Sequence, residues 1–276
     1  MENKYLSEIK PVDNFHLGLR ELVKFHELFY FFAWRDIKVK YKQTVLGFLW
    51  AIFQPLIMTI ILSITLGQIV SFPSSNMPYP VFVISGLIFW SFFSNGVSSS
   101  ANSMLNNAAI IRKVYFPRLI IPLSALLVVL FDSMMALIVF FAFLLYYGLM
   151  VNPLLIAGKL LIAVALSVLA TLGPGCLLAA LNVKYRDFRY IVPFVIQLGL
   201  FVSPVLYSVG SIENRWLKLV LTLNPMSFPI EFFRSSIGNI PVDWNFLWPG
   251  LLVSCFLFVT GIYYFRKTEA YFADLA

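Results

Sequence analysis

The stretch of sequence that decides the fold runs from residue 43 to residue 111 and reads QTVLGFLWAIFQPLIMTIILSITLGQIVSFPSSNMPYPVFVISGLIFWSFFSNGVSSSANSMLNNAAII. These 69 consecutive residues contain no Asp, Glu, Lys or Arg. A helix needs only about 20 apolar residues to cross a hydrocarbon core of about 30 Å. The stretch therefore predicts membrane-spanning helices and excludes a soluble enzyme.

The rest of the chain has the same character, since 60% of its 276 residues are hydrophobic, 12% are charged and the mean hydropathy is +0.86. Apolar runs bounded by charges predict six spans, at residues 46–71, 80–104, 119–147, 154–182, 190–208 and 246–265. No internal repeat is visible. We therefore expect an all-α integral membrane protein with one transmembrane domain at 46–266, a cytoplasmic N-terminal region at 1–45 and a cytoplasmic tail at 267–276.

The positive charges predict the orientation in the membrane. Eight of the 20 Lys and Arg precede the first span, three lie between the second and third spans, three follow the fourth and two follow the sixth. Segments rich in Lys and Arg stay in the cytoplasm, so both termini are predicted to be cytoplasmic. The net charge of +7 therefore marks a membrane face, and no nucleic-acid partner is expected.

Two segments are partly apolar but do not fit the pattern of a span. From about residue 17 to residue 42, apolar and charged residues fall on different faces of a helix, which is typical of a helix in the membrane interface. Packing on a soluble domain is the alternative.

Between residues 209 and 245, short apolar pieces are interrupted by Asn224 and Pro225. This pattern favours re-entrant helices in the outer leaflet over an ordinary amphipathic external loop.

No pattern in the sequence predicts catalysis or metal binding. The chain has no HExxH or GxSxG motif, and its two cysteines, Cys176 and Cys255, lie in apolar runs where packing roles are expected. Gly158-Lys159, the nearest approach to a phosphate-binding loop, lacks the first glycine and the Ser or Thr after the lysine. We therefore expect no catalytic residue, no metal and no cofactor in this chain, and any ATP must bind to another subunit.

A few polar side chains interrupt the predicted spans. Asp132 is the one acid well inside a span, where a carboxylate costs about 2.5 to 3.5 kcal/mol on insertion scales. Two interpretations remain open: Asp132 belongs to the conduit or to the coupling mechanism, or it forms a hydrogen bond with a neighbouring helix.

The second span carries a polar stripe at helical spacing, formed by Ser91, Ser94, Asn95, Ser98, Asn102 and Asn106. Such a stripe either lets two helices pack closely or lines a water-filled path.

The two cytoplasmic loops at residues 107–118 and 182–189 combine basic residues with aromatic ones. Positive-inside anchoring explains their cations. Asp187, which lies between two arginines, does little for orientation. We therefore favour a docking surface for a soluble partner over simple anchoring.

Six short motifs, in this order and at these distances, resemble those of a known family. They are RDIKVKYKQTVLGFLWAIFQPL (35–56), RKVYFPR (112–118), ALNVKYRD (180–187), SPV (203–205), LNPM (223–226) and FAD (272–274). From about residue 28 to its last residues, the chain resembles the membrane subunit of type-2 ABC exporters for bacterial surface polysaccharides. The match is to the branch that exports O-antigen, for lipopolysaccharide biosynthesis, or teichoic acid.

The resemblance implies a homodimer of this permease joined to two copies of an ATP-binding subunit, which holds ATP and Mg²⁺. The implied substrate is a polysaccharide on a polyprenyl diphosphate lipid, exported across the bacterial plasma membrane, which is the inner membrane of a Gram-negative cell. The resemblance also implies six spans, an interface helix, a coupling helix between the second and third spans, and re-entrant helices before the sixth. A drug or small-amphiphile exporter of the same architecture is the nearest alternative, followed by a proton-coupled transporter and a structural scaffold.

These implications assign two sets of residues. Contacts with the ATP-binding subunit are expected at Arg35, Lys38, Tyr41, Arg112, Lys113, Tyr115, Arg118, Tyr185, Arg186 and Asp187. The translocation path or its external gate is expected at Ser91, Ser94, Asn95, Ser98, Asn102, Asp132, Phe232, Phe233 and Arg234. Arg234 either contacts the diphosphate through charge-assisted hydrogen bonds or pairs with Glu231 to brace two short helices.

Overall fold

The structure is a computed structural model that describes residues 23–42, 49–69, 77–185, 187–237, 244–269 and 272. All regular secondary structure in these residues is helical, which confirms the predicted all-α class. The α-helices are α1 (His26–Lys42), α2 (Leu49–Ile69), α3 (Tyr79–Asn106), α4 (Ala108–Ile111), α5 (Ile120–Tyr146), α6 (Pro153–Lys184), α7 (Phe188–Phe201), α8 (Arg215–Thr222), α9 (Ser227–Arg234) and α10 (Trp244–Thr268). A short 3-10 helix, Val209–Ser211, precedes α8.

Several sequence predictions fall outside this part of the chain. Arg186 lies outside the described residues, as do residues 1–22 and 43–45 of the predicted N-terminal region. The same holds for most of the predicted tail, at residues 270–271 and 273–276.

Within the described ranges, five helices are long and apolar enough to cross a membrane. They are α2, α3, α5, α6 and α10. The predicted spans at 80–104, 119–147 and 154–182 match α3, α5 and α6 to within two residues at each end. The chain therefore has the helices of a multi-pass membrane protein.

The predicted fifth span, 190–208, differs from the structure. Its helix, α7, has 14 residues and ends at Phe201, so it is about 21 Å long and shorter than a hydrocarbon core of about 30 Å. Pro204 explains the early end, because proline lacks a backbone donor and restricts the backbone of the residue before it. Hydropathy detects the apolar side chains of residues 202–208 but not this change of backbone.

Asparagine side chains mark the first residues of two helices. The Asn152 side chain accepts hydrogen bonds from the backbone N–H groups of Leu154 (3.0 Å) and Leu155 (3.4 Å), and α6 begins at the next residue. Asn214 caps α8 in the same way. Such caps satisfy N–H groups that have no partner within the helix.

The core is built around α3 and α6. The apolar window of α3 is 72% buried, compared with 6% for α2, so α3 is central and α2 is peripheral. Helix α3 packs against α5 and α6, α6 also packs against α10, and α1 lies against α5.

Glycines lie at the closest contacts between helices. A Cβ at Gly96 would lie 2.6 Å from Thr171 Cγ2, and a Cβ at Gly173 would lie 2.5 Å from the Leu257 backbone. Small residues thus allow the helix backbones to approach closely.

Gly261 tests this close packing. A Cβ there would collide with the backbone of Gly173, and overpacking of a close contact costs about 1–3 kcal/mol. We expect Gly261→Leu to lower the melting temperature of the purified permease in detergent. Gly158→Leu is the matched control, because nothing lies within 4 Å of a Cβ at that helical position. Equal melting temperatures for the two variants would contradict the packing described here.

Candidate functional site

A cavity of about 810 Å³ lies among α1, α2, α3 and α5, beside the C-terminal end of α7. Its walls combine apolar residues with aromatic rings and polar groups. The rings and polar side chains are Lys40, Tyr41, Trp50, Gln54, Trp90, Ser91, Asn95, Ser99, Asp132 and Ser133. Among the residues predicted for a translocation path, the structure therefore brings Ser91, Asn95 and Asp132 together at one cavity.

The polar stripe of α3 is divided between this cavity and other surroundings. Ser91, Asn95 and Ser99 follow one another at helical spacing along the cavity wall. The Ser94 hydroxyl donates to the Ser91 carbonyl (3.2 Å), and the Asn102 amide donates to the Ser98 carbonyl (2.9 Å). These two side chains are half-buried and bond within their own helix. Of the predicted stripe, Ser91 and Asn95 therefore line the cavity, and the water-filled path stays a prediction.

A different face of α3 makes the close helix contacts. Gly96 and Ser100 are buried, and the Ser100 hydroxyl donates to the Pro122 carbonyl of α5 (3.3 Å). A Cβ at Gly175 of α6 would lie 2.8 Å from Ser100 Cβ. Sequence reasoning missed this face because the small residues that pack are interleaved with the small polar residues that do not.

Asp132 is bound by α1. Its carboxylate accepts hydrogen bonds from Lys40 Nζ and from Tyr41 Oη. Burial and the neighbouring carboxylate raise the pKa of Tyr41, so the phenol stays protonated and donates. This geometry agrees with the hydrogen-bonding alternative for Asp132, but the partners come from the N-terminal helix rather than from another long span.

Helix α1 is held at a second place by Arg35. Its Nη2 donates to Asn107 Oδ1 (2.7 Å), and its Nε donates to Asp36 Oδ1 (2.8 Å). The Phe32 ring is buried and lies 5.6 Å from the Phe116 ring, measured between centroids. The apolar face of α1 therefore packs against the segment that leads into α5.

The loop before α5 has an exposed part and an anchored part. Tyr115 is 72% exposed, and Arg112 and Lys113 are also exposed, so these three predicted partner contacts are accessible. Arg118 turns inward, where its backbone N–H donates to Glu269 Oε1 (2.9 Å) and its guanidinium donates to the Glu269 carbonyl. The loop thus presents one end to the outside while its other end is tied to the C-terminal part of the chain.

The remaining predicted partner contacts lie at the surface where they are described. Lys38 is exposed, and its Nζ lies 5.2 Å from the Trp34 ring centroid. Tyr185 is 46% exposed, and Asp187 is exposed beside it. These positions are compatible with a docking surface.

Arg234 is buried inside the chain, with 1% of its side chain exposed. Its N–H groups donate hydrogen bonds to five oxygen atoms. These are Ser85 Oγ (3.1 Å), Phe82 O (2.9 Å), Val205 O (3.0 Å), Glu231 Oε1 (3.3 Å) and Pro204 O. Gly86 makes room for it, since a Cβ there would lie 2.5 Å from Arg234 Nη2. The guanidinium is occupied and has no surface for a diphosphate. Arg234 and Glu231 lie on the same helix, and the other acceptors belong to α3 and to residues 204–205. The arginine therefore braces α9 against α3 and residues 204–205, rather than joining the two short helices α8 and α9.

Phe232 and Phe233 have different surroundings. Phe233 is fully buried between the rings of Phe89 (5.1 Å) and Phe140 (5.3 Å), measured between centroids. Phe232 is half-buried and lies 5.7 Å from Lys159 Nζ. Phe233 is therefore a core residue in this conformation, and Phe232 is the ring closer to the surface.

Comparison with known proteins agrees with this helical architecture. A family model described as "ABC-2 type transporter" matches residues 27–237. The chain belongs to the ABC-2 type transporter family. This membership agrees with the five long apolar helices found in the described residues.

Named relatives of this ABC-2 chain are polysaccharide transport proteins. It is 30% identical over 241 residues to an O-antigen export system permease protein RfbA of Klebsiella pneumoniae, covering 87% of this chain and 92% of that protein. It is 28% identical to an RfbA of Myxococcus xanthus, covering 75% and 79%. Similarity also extends to the polysialic acid transport protein KpsM of Escherichia coli, at 23% identity and covering 85% and 91%.

Arg234→Lys tests the bracing role. Lysine has three donors in place of the five of the guanidinium, and each buried oxygen left without a partner costs about 1–3 kcal/mol. We expect this variant to have a lower melting temperature than the unmodified permease, while Arg215→Lys at an exposed position of α8 has little effect. A variant that is as stable as the unmodified permease but does not transport would instead support direct substrate contact.

Proposed function

We propose that this ABC-2 chain is the membrane permease of an ATP-driven exporter for lipid-linked surface polysaccharide of the O-antigen or teichoic-acid type. The observation that carries the proposal is 30% identity across 92% of an O-antigen export permease. The match extends over 241 residues, which is 87% of this chain. We place the protein in the bacterial plasma membrane with both termini in the cytoplasm.

The chemistry of the cavity supports a glycan as the transported substance. Aromatic faces suit the C–H faces of sugars, and Trp50, Trp90 and Tyr41 supply rings in the cavity wall. Asn95 and Gln54 supply amide groups that can exchange hydrogen bonds with hydroxyl groups. Because an unpaired hydroxyl costs several kcal/mol in an apolar medium, a long glycan needs such a polar path through the membrane.

The proposed topology has six crossings. In this topology residues 202–208 complete the crossing that α7 begins. Their non-helical backbone is tolerated at that depth because the carbonyls of Pro204 and Val205 accept hydrogen bonds from Arg234. Helix α1 is the interface helix, and α8 and α9 are short helices at the outer face. Exposed Trp216 and Val220 on α8 support this placement, because an apolar helix face suits the lipid boundary.

The proposed complex contains two copies of this permease and two copies of an ATP-binding subunit. Helices α2 and α7 border the cavity, and both expose large apolar residues, among them Ile64 and Phe194. We assign the second copy to this side of the permease. No nucleotide site is assigned to this chain, and we place ATP and Mg²⁺ in the partner subunit.

The proposed mechanism uses the exposed loop as the point of contact. When the two ATP-binding subunits bind ATP, they close against each other. This closure moves the loop at Arg112, Lys113 and Tyr115, together with α1. Helix α1 contacts Asn107, the residue after α3, and Asp132 of α5, and side chains of α3 and α5 line the cavity. Movement at the cytoplasmic face can thus change the width of the path between them.

The substrate class is tested with the reconstituted permease and its ATP-binding subunit. We expect a polyprenyl-diphosphate-linked glycan to stimulate ATP hydrolysis, because binding in the path is coupled to closure of the nucleotide sites. The measurement is the ATPase rate in proteoliposomes with and without that lipid-linked glycan. A complex that ignores the glycan but responds to small amphiphiles would instead be a drug exporter, to which the apolar part of the cavity wall is also suited.

The docking surface is tested by reversing its charges. We expect the double variant Arg112→Glu, Lys113→Glu to lose copurification of the ATP-binding subunit, since both cations are exposed beside Tyr115. The measurement is the ratio of the two subunits after affinity purification, with membrane insertion checked in parallel. The matched control is Arg215→Glu, which changes an exposed cation on the proposed outer face. Retention of the partner by the double variant would place the docking surface elsewhere.

A further inference from the structure

Asp132 lies where a carboxylate needs a partner. It is twelve residues beyond Ile120, the first residue of α5, which places it about 18 Å along the helix axis. Its side chain is 18% exposed. An acid inside a membrane helix is costly unless it is paired or faces a polar cavity.

Both partners of this carboxylate come from α1. Lys40 Nζ and Tyr41 Oη donate to its two oxygen atoms, and the Tyr41 ring packs on Phe131, with 5.8 Å between centroids. Helix α1 is not one of the long spans. Within the described residues, both hydrogen-bond partners of the Asp132 carboxylate therefore belong to a helix that is not one of the long spans.

The same helix is tied to the exposed loop. Arg35 Nη2 donates to Asn107 Oδ1 (2.7 Å), and Asn107 lies between α3 and α4, at the first residue of the loop that carries Arg112 and Lys113. Five residues separate Arg35 from Lys40, which is about 7.5 Å along a helix. One rigid helix thus connects the docking loop, through Arg35, to α5, through Lys40 and Tyr41.

The α5 end of this connection lies in the cavity wall. Lys40, Tyr41 and Asp132 all line the cavity, together with Asn95 of α3. If α1 moved away from α5, an unpaired carboxylate would face the cavity, and the wall between α1 and α5 would part. The pair is therefore placed to change the path whenever the docking loop moves α1.

We infer that Asp132 is a positioning residue for energy coupling. Its contacts with Lys40 and Tyr41 carry movement of the docking loop, through α1, to the wall of the translocation path. Asp132 does not relay protons in this assignment, and it contacts neither nucleotide nor ATP-binding subunit. The inference rests on the proposed function, since it requires an ATP-driven partner on the loop.

The first test is a double-mutant cycle on Lys40 and Asp132 in the reconstituted complex. We expect Asp132→Asn and Lys40→Met each to reduce the ratio of the ATPase rate with lipid-linked glycan to the rate without it about tenfold, within the usual range of allosteric coupling. The double variant is expected to be no worse than either single variant, because the two residues act through one contact. Additive losses, or unchanged stimulation, would overturn the inference.

Two further variants guard against simple misfolding. Tyr41→Phe keeps the ring against Phe131 and removes the hydroxyl alone, so a reduced glycan response with normal assembly is expected. Lys42→Met changes an exposed cation at the end of the same helix and is expected to behave as the unmodified protein. If Tyr41→Phe also behaved as the unmodified protein while Asp132→Asn failed to assemble, Asp132 would have only a structural role, and the inference would be wrong.

A second measurement separates this inference from the proposed function. Amide hydrogen exchange of α1 in the purified permease needs no substrate or nucleotide, and it reports local undocking. We expect faster exchange over residues 26–42 in Asp132→Asn and in Lys40→Met than in Lys42→Met. An unmodified complex that shows no glycan stimulation would contradict the proposed substrate, whereas unchanged exchange in Asp132→Asn would contradict the inference and leave the proposed substrate standing.

Discussion

A chain that enters hydrocarbon finds no water for its backbone N–H and C=O groups, and each group left unpaired is costly. The long helices α2, α3, α5, α6 and α10 meet this requirement internally. Where the backbone leaves the helix after α7, the carbonyls of Pro204 and Val205 accept hydrogen bonds from the buried Arg234. The arginine is thus a substitute for helical hydrogen bonds, and Gly86 is needed so that its guanidinium can reach them.

The same requirement applies to charge. Arg234 meets it with Glu231 and a set of oxygen atoms, all within the packed chain. Asp132 meets it with Lys40 and Tyr41 of α1, at the wall of a cavity. The first arrangement is fully enclosed and suits a fixed brace, whereas the second joins separate elements next to an open space and suits a contact that changes during transport.

The long spans could be predicted because transfer of side chains into lipid depends mainly on local composition. The predicted span at 119–147 and the observed helix Ile120–Tyr146 differ by one residue at each end. The prediction for 190–208 was less accurate, because composition reports where side chains are stable but not how the backbone is bonded. Asp132 was recognised from sequence as an unusual acid, but its partners are more than ninety residues away in the chain.

The sequence by itself determined the membrane class, the positions of most long helices and, through its ordered motifs, the resemblance to a transporter family whose membership the family comparison confirmed. These properties are local or additive along the chain. Only the tertiary structure decided which face of α3 packs on α6, that Arg234 is enclosed, and that α1 supplies both partners of Asp132. Such pairings depend on the distance between residues far apart in sequence, and helical periodicity places a residue on a face without identifying what that face contacts.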